Sequence, residues 1–384
     1  MNLQFQLSVV GTAAAALVAA ALVSLISTPV VRSLAFRIGA VDVPRDGRRM
    51  HDHPIPRMGG LAIFFGFILS VLLFLPLSEQ LRSMLMGAVI IVILGIFDDI
   101  YALSAKLKFC VQIFAALVAV MGGNRIVFLS NLNIFSSELY WDLGWLSYPI
   151  TILWIVGITN AVNLIDGLDG LACGVSTISS MTLLVIALNV AEPDVAVLTA
   201  ALAGACIGFL PYNLNPARIF MGDTGSTFLG YILAVVSIQG LFKFYTIISF
   251  AAPFLMLGLP IFDTCFAILR RVSKGQSPMA PDRGHIHHRL IDMGFSQKQA
   301  VAMLYVISAI LGLSAVVLTT AGAVRAMLFL LALCVAGLLA YKLYLGGGHI
   351  GSRDSQDARR PDSPSKTQIA GNDNFFGEED RSDK

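Results

Sequence analysis

The sequence has little charge and few cysteines. Only 13% of its 384 residues are Asp, Glu, Lys or Arg, whereas 56% are hydrophobic and the mean hydropathy is +0.77. This composition excludes the two or three soluble domains that the length alone would allow. The five cysteines all lie in apolar runs without metal-ligand spacing, which favours small buried hydrophobic side chains over a metal site.

The chain contains instead apolar runs that are long enough to span a bilayer. We predict an all-α integral membrane fold, a polytopic bundle of about eleven transmembrane helices. The predicted spans are 7–31, 59–76, 81–97, 107–122, 147–164, 170–190, 194–212, 224–240, 245–270, 299–320 and 323–345. The first run is too long for a signal peptide, and residues 1–6 carry no positive charge. Residues 1–348 form one membrane domain, and the polar tail 349–384 is predicted to be disordered.

Lysines and arginines are distributed unequally between the two sides of this bundle. One side holds 22 of the 26, and 15 against 4 remain when the tail is left out. The richer side consists of segments 32–57, 98–108, 213–223, 270–298 and the tail from residue 342. The positive-inside rule makes this side cytoplasmic, with the N-terminus outside and the C-terminus cytoplasmic. The acidic residues near span ends and the histidines then share the cytoplasmic face, which predicts an active site there.

Segment 42–60, DVPRDGRRMHDHPIPRMGG, joins a basic cluster to the mouth of a span. Its prolines keep the backbone out of a helix. Arg45 and Arg48 fit an ordinary positive loop. Arg57 lies at a fixed place between Pro56 and two glycines, which favours binding of a phosphate.

Asp98 and Asp99 end the third span. Carboxylates at a helix C-terminus oppose the helix macrodipole, and two adjacent like charges raise one pKa. An exposed helix-end pair is the structural alternative. The pattern favours a general base.

Segment 160–170, NAVNLIDGLDG, spaces four polar residues by three: Asn160, Asn163, Asp166 and Asp169. If helical, they form one polar stripe at the cytoplasmic end of span five. Glycines 167 and 170 would permit close approach of a ligand. A solvated helix end explains the polarity but not its alternation with apolar residues.

Segment 211–227, PYNLNPARIFMGDTGST, places Asn213 and Asp223 around a short loop. Asp223 can serve as an N-cap of span eight. The same helix start also suits a pyrophosphate. Together with the acidic stripe, it indicates Mg²⁺ bridging carboxylate and phosphate oxygens.

Segment 270–290 ends in DRGHIHHRL. Zinc binding by His285, His287 and His288 is disfavoured, because no H-E-x-x-H motif or nearby cysteine is present and arginines flank the histidines. An anionic or sugar-bearing ligand suits the loop better. For Asp263, inside span nine, a functional role and a structural polar contact are equally favoured.

These residue types describe phosphoryl-type transfer between a soluble nucleotide donor and a membrane-held acceptor. A transporter would carry broken or charged helices near mid-bilayer and detectable repeats, whereas the polar clusters here lie at span ends and the sequence contains no internal repeat. A purely structural membrane protein leaves the acidic residues unexplained.

Five ordered motifs resemble those of the polyprenyl-phosphate N-acetylhexosamine-1-phosphate transferases: DVPxxxRRxHxxPxPRxGG, FDD, NAVNLIDGLDGL, FMGDTGS and DRGHIHHRL. The resemblance runs from about residue 42 to residue 298. It implies Mg²⁺-dependent transfer of a sugar 1-phosphate from a UDP-sugar to undecaprenyl phosphate with release of UMP, and Mn²⁺ is the alternative cation.

The resemblance also implies roles for individual residues. The catalytic residues are Asp98, Asp99 and Asp166, the first two matching the acidic pair assigned to activation of the lipid phosphate. The metal ligands are Asp223 and Asn163. The substrate-binding residues are Arg57, Asn163, Asp169, Asn213, Arg283, His285, His287 and His288.

The His-Ile-His-His pattern after Asp-Arg resembles the branch of the family that uses UDP-N-acetylglucosamine. The peptidoglycan-precursor branch typically has three consecutive histidines there. Epimeric UDP-N-acetylhexosamines and UDP-MurNAc-pentapeptide are the alternative donors. The expected setting is the plasma (inner) membrane, where the product initiates a cell-envelope polysaccharide. Homodimers occur in the family, and no nucleic-acid partner is expected.

Overall fold

A computed structural model describes residues 3–43, 53–130, 140–240, 247–277 and 284–321, with the helical positions 325 and 329. Arg45, Arg48, Arg283, most of the predicted span 323–345 and the tail 349–384 lie outside the described residues.

The described residues are mostly helical. Their α-helices are α1 (Leu3–Ile38), α2 (Gly60–Phe74), α3 (Glu79–Tyr101), α4 (Ala105–Met121), α5 (Ser147–Leu164), α6 (Leu171–Val190), α7 (Pro193–Asn213), α8 (Gly222–Gly240), α9 (Ile247–Met256), α10 (Gly258–Ser273), α11 (Ile286–Asp292) and α12 (Gln297–Ala321). A short 3-10 helix, Gly144–Leu146, precedes α5. Two antiparallel strand pairs complete the elements, β1 (Val41–Asp42) with β2 (Ile55–Pro56) and β3 (Phe128–Ser130) with β4 (Tyr140–Asp142).

Each predicted span within the described residues falls on helix. Six of these helices are long and apolar enough to cross a membrane: α1, α3, the 3-10 turn with α5, α6, α7 and α12. The shorter α2 is also apolar. This is the architecture of a polytopic all-α membrane protein.

The predicted span 245–270 is two helices rather than one. The chain breaks at Leu257, between the end of α9 and the start of α10. Pro260 has no N–H to donate to the carbonyl of Met256, and its ring would clash with that carbonyl in a continuous helix. In the first turn of a new helix the same proline is tolerated.

Helix α8 is the centre of the bundle. Every residue from Thr224 to Gly240 is buried, including the large side chains of Phe228 and Tyr231. The Tyr231 hydroxyl donates to the carbonyl of Met84 on α3 at 3.2 Å. The start of α8 is tied to the start of α2, because the Gly60 amide donates to the Met221 carbonyl at 2.9 Å. Surrounding elements are therefore positioned around the N-terminus of α8.

Candidate active site

A cavity of about 1130 Å³ opens around the N-terminus of α8. Its walls come from parts of the chain that are far apart in sequence: Asp42, 53–57, Lys108 of α4, 163–169, 213–223 and 285–297. Four of the five resembling motifs contribute side chains to it, the exception being the FDD segment. The cavity brings together these predicted residues: Arg57, Asn163, Asp166, Asp169, Asn213, Asp223, His285, His287 and His288.

The acidic segment after α5 is a loop and not a helical stripe, so that prediction is wrong. Helix α5 ends at Leu164, and α6 begins at Leu171 after Gly170, which has a left-handed φ of 77°. Asp166 and Asp169 lie between the two helices and line the cavity. Asn160 remains on α5 and donates to Gln112 of α4 at 2.6 Å. The loop therefore separates the two carboxylates from Asn160.

Asp223 lies in the first turn of α8 and is paired with an ammonium group. Lys108 Nζ lies 2.9 Å from Asp223 Oδ2 and 2.9 Å from Asp98 Oδ2. The other oxygen of Asp98 accepts from the backbone N–H of Leu103 at 2.7 Å. Lys108 therefore connects the ends of α3 and α8 at the edge of the cavity. The sequence analysis assigned it no role, since one lysine in a positive loop carries no distinguishing pattern.

Asp99 is buried and holds the N-terminus of α8. Its Oδ1 accepts from the Asp223 amide at 2.9 Å, and its Oδ2 accepts from the Thr224 amide at 3.1 Å and the Thr224 hydroxyl at 2.6 Å. A carboxylate supplied by another helix thus satisfies the amides of this helix start, with a favourable dipole interaction. Neither Asp98 nor Asp99 lines the cavity.

Two asparagines and Asp169 also line the cavity. Asn163 Oδ1 accepts from the Ser226 hydroxyl at 2.7 Å. Asn213 donates through Nδ2 to the carbonyl of Ile219 at 3.0 Å, while its buried Oδ1 has no hydrogen-bond partner among the described residues. Asp169 Oδ2 accepts from Asn215 Nδ2 at 2.9 Å and from a backbone amide of the following loop at 3.0 Å. Asn213 therefore keeps an acceptor available beside the cavity.

Arg57 supplies positive charge at the cavity wall. Its guanidinium lies 3.7 Å from Asp42 Oδ1 and 3.8 Å from Asp99 Oδ1, and its side chain is one-third exposed. These are long, loosely held pairs, so the guanidinium can exchange them for a phosphate.

The three predicted histidines form one aromatic group at the start of α11. The ring centroids of His285 and His287 are 5.8 Å apart, and those of His287 and His288 are 4.3 Å apart. Burial, followed by the charge of His288, lowers the pKa of His287 to about 4. The His287 imidazole is therefore neutral at neutral pH and can both donate and accept hydrogen bonds.

Asp166 is the least compensated carboxyl group of the cavity. Burial, followed by the charges of Asp223, Asp99 and Asp169, raises the pKa of Asp166 to about 8. No hydrogen bond or ion pair of its carboxylate is found among the described residues. The neighbouring negative charges repel the ionised carboxylate and so favour its protonated form. A bound cation offsets this repulsion, and such a carboxyl group therefore binds a cation readily.

The donor set limits how a divalent cation can be held. In the described part of the chain, no group of three or more His, Cys, Asp and Glu side chains is arranged to hold a metal ion. Mg²⁺ commonly takes only one or two carboxylates and completes its shell with water and substrate phosphates. Asp223 and Asp166, together with the amide of Asn163, fit such a site. Lys108 competes with the cation for one oxygen of Asp223.

Known proteins resemble this chain over most of its length. Residues 81–241 match the family described as Glycosyl transferase family 4. The chain is 48% identical to a probable undecaprenyl-phosphate N-acetylglucosaminyl 1-phosphate transferase of Bacillus subtilis, over 80% of this chain and 85% of that protein. It is 37% identical to the decaprenyl-phosphate N-acetylglucosaminephosphotransferase of Mycolicibacterium smegmatis, over 74% and 77%.

A third relative has a similar name. It is the undecaprenyl-phosphate alpha-N-acetylglucosaminyl 1-phosphate transferase of Yersinia pestis, which is 30% identical over 75% of this chain and 79% of that protein. These relatives confirm the resemblance that the five motifs predict. The chain belongs to the polyprenyl-phosphate N-acetylhexosamine-1-phosphate transferases of glycosyl transferase family 4.

Proposed function

We propose that this protein transfers N-acetylglucosamine 1-phosphate from UDP-N-acetylglucosamine to undecaprenyl phosphate and releases UMP. The observation that carries the proposal is the cavity at one end of the apolar bundle, where Asp166 and Asp223 face Lys108 and the histidines of α11. Carboxylates for a cation and basic groups for phosphates suit a diphosphate. The apolar bundle suits a lipid acceptor, and the names of the relatives point to the same reaction.

The reaction is an exchange at phosphorus. A phosphate oxygen of the acceptor attacks the β-phosphorus of the donor, the bond from that phosphorus to the bridging oxygen breaks, and UMP leaves. Positioning and charge stabilisation supply most of the catalysis in such transfers. Lys108 and Arg57 bind phosphate oxygens, and Asn213 Oδ1 accepts a hydrogen bond from the nucleoside. The histidines of α11 donate to the sugar or the diphosphate.

Mg²⁺, with Mn²⁺ as the alternative, is the proposed cofactor. When bound, the cation neutralises diphosphate charge and acts as a Lewis acid. Asp223 and Asn163 would hold it, with Asp166 on the same wall of the cavity. One or two carboxylate side chains bind Mg²⁺ weakly by themselves, so the diphosphate of the donor would complete the site.

Asp98 and Asp99 are proposed to act on the acceptor phosphate. A phosphate monoester near its second pKa is already largely dianionic at neutral pH, so the pair can act by position as well as by proton transfer. Asp99 accepts three hydrogen bonds from α8, whereas Asp98 reaches the cavity edge through Lys108. Asp98 is therefore the better candidate for direct contact with the acceptor.

The proposed setting is the plasma (inner) membrane, with about eleven spans and the cavity on the cytoplasmic face. The excess of Lys and Arg on the cavity side supports this orientation. It also agrees with a UDP-sugar donor, which is a cytoplasmic metabolite.

One experiment tests the reaction. Purified protein is incubated with undecaprenyl phosphate, Mg²⁺ and a panel of UDP-sugars, and the released nucleotide is identified. UMP with preferred turnover of UDP-N-acetylglucosamine is the expected result. UDP as the released nucleotide would overturn the reaction, preferred turnover of UDP-MurNAc-pentapeptide would overturn the donor, and no released nucleotide would favour a transporter.

A further inference from the structure

Asp263 is a carboxylate that faces inward from a helix whose other face is apolar and exposed. Phe262, Phe266 and Leu269 of α10 are exposed, whereas Asp263 is only 3% exposed. A buried carboxylate is costly unless it is paired and hydrogen-bonded. Its partners therefore indicate why it is there.

Both oxygens of Asp263 are used to hold the start of α11. Oδ2 lies 2.8 Å from Nδ1 of His285, and Oδ1 accepts from the backbone N–H of Ile286 at 2.9 Å. One side chain thus fixes a ring and the adjacent backbone together. The link joins α10 to the histidine segment across 22 residues of sequence, part of which lies outside the described residues.

The pairing decides which ring nitrogen of His285 is available. With Nδ1–H donated to the carboxylate, Nε2 is the nitrogen left for a ligand, as in other carboxylate–histidine pairs. His285 is buried and lines the cavity, so this orientation matters for whatever binds there.

The orientation extends from His285 to the acidic loop. The ring of His285 is nearly parallel to that of His287, with an interplanar angle of 13°. The His287 ring in turn packs on Gly167, where a Cβ atom would lie 2.3 Å from His287 Nε2. A contiguous path of contacts therefore runs from Asp263 through two histidines to the loop that carries Asp166.

We propose that Asp263 is a positioning residue for the donor side of the reaction. It holds His285 and the start of α11 so that the histidines stay beside the acidic loop. This role rests on the proposed function. It makes Asp263 specific for the UDP-sugar, since no contact connects it to Asp98 or Lys108 among the described residues.

The substitution Asp263→Asn removes one of the two acceptor oxygens of the side chain with little change of its volume. An amide has one acceptor oxygen, so it can serve either His285 Nδ1–H or the Ile286 amide but not both. If the amide nitrogen faces Nδ1, the imidazole must adopt the other tautomer. Asp263→Ala leaves both donors buried without a partner and serves as the more severe variant.

The first measurement is steady-state kinetics with each substrate varied in turn. Asp263→Asn should lower kcat/KM for UDP-N-acetylglucosamine by about 10- to 100-fold, the usual effect of losing a residue that orients a functional histidine. The KM for undecaprenyl phosphate should stay within about twofold, because the acceptor contacts lie elsewhere. Gln239→Ala is the matched control, since it removes a buried side-chain hydrogen bond at the far end of α8.

The second measurement is hydrogen–deuterium exchange of the peptide that covers α11, without substrate. Asp263→Asn and Asp263→Ala should increase exchange in residues 284–292, because the Ile286 amide loses its acceptor. Gln239→Ala should leave that peptide as in the wild type. This readout reports the anchoring of α11 independently of activity.

The outcomes distinguish the two proposals. Unchanged exchange in α11, or unchanged donor kinetics in a folded Asp263→Asn protein, would overturn the positioning role. Equal losses for donor and acceptor, of the kind that general destabilisation produces, would overturn it as well. A wild-type protein that releases no UMP contradicts the proposed function, and the exchange measurement then decides by itself whether Asp263 holds α11.

Discussion

Helices α3, α4 and α8 bury polar side chains at both of their ends, and the two ends differ. At the end away from the cavity, Gln239 Nε2 donates to Asn124 Oδ1 at 2.6 Å, and Asn124 Nδ2 donates to Ser83 at 3.0 Å and to backbone carbonyls. These groups are neutral, and their donors and acceptors match. At the cavity end the same helices bring together Asp98, Asp99, Lys108 and Asp223.

The comparison distinguishes buried polar groups that stabilise the fold from buried polar groups that are suited to bind a ligand. A matched amide network satisfies buried hydrogen bonds at little net cost. An excess of carboxylates over cations costs stability, which proteins accept mainly at functional sites. Four predictions test this contrast, from the largest expected effect to the smallest.

Asp223→Asn should abolish most turnover. The amide lacks the negative charge with which Asp223 binds a cation and pairs with Lys108 at the start of α8. Charge stabilisation by a metal is worth several kcal/mol, which corresponds to about 10²- to 10³-fold in rate. The measurement is UMP release by purified variant at limiting Mg²⁺, with folding checked by thermal denaturation. Near-normal turnover would show that Asp223 does not hold the cation.

Asp98→Asn and Asp99→Asn should differ from each other. Asp99→Asn breaks the hydrogen bonds that hold the start of α8, so it should cost about 1–3 kcal/mol of stability and lower Tm as well as kcat. Asp98→Asn should lower kcat by about 10²-fold, as loss of a general base does, with a smaller change in Tm. The measurements are thermal unfolding and pH–rate profiles of both variants. If neither lowers kcat or alters the acid limb, the base assignment fails.

Titration of Asp166 should make kcat/KM for the UDP-sugar rise with pH up to about pH 8, which is the acid limb of the pH–rate profile. Its pKa is raised to about 8, so below that pH the ligand-free protein holds it protonated and neutral. Since cation binding needs the carboxylate, kcat/KM for the donor should fall about tenfold for each pH unit below that value and level off above it.

The magnesium concentration provides the check on this pH dependence. Mg²⁺ competes with the proton, so raising its concentration should move the limb to lower pH. Asp166→Asn should remove the limb, whereas Asp169→Asn should keep it, because Asp169 is already hydrogen-bonded to Asn215. A limb that persists in Asp166→Asn belongs to another group.

Gln239→Ala should change stability and leave catalysis intact. It removes the donor to Asn124 and should cost about 1–3 kcal/mol of unfolding free energy, the penalty of an unsatisfied buried polar group. The KM values for donor and acceptor and the kcat should stay within about twofold. A selective change in donor KM would contradict the division between the two ends.

Hydropathy predicted the helices well because a lipid-facing or buried span leaves a continuous apolar signal. It could not reveal the break at Leu257, since α9 and α10 are both apolar there and the effect of Pro260 depends on how the helices pack. It also overextended the helix after Leu164. The spacing of Asp166 and Asp169 fits a helix, but the chain leaves the helix after Leu164.

The motifs predicted nine residues that line the cavity, but not the residues that pair with them, and the predicted Asp98 and Asp99 do not line it. The partners of Lys108, Thr224 and Asn215 lie on other elements of the fold. No local sequence pattern indicates such contacts. For Asp263 the sequence left two roles equally favoured, and the contact with His285 identifies its partner. Asp98 and Asp99 look equivalent in sequence, yet they face different neighbours because successive helical residues point about 100° apart.

The walls of the cavity span residues 42 to 297 of the 384-residue chain, which sets when during synthesis the site is completed. Chains emerge from the ribosome N-terminus first. The acidic loop and Lys108 are therefore made and inserted long before the histidines of α11. A nascent chain that stops before residue 285 has the acidic wall of the cavity and lacks the wall that the histidines form. An unfinished protein consequently has no complete site at which to consume a nucleotide sugar, and translation of α11 is the step that completes it.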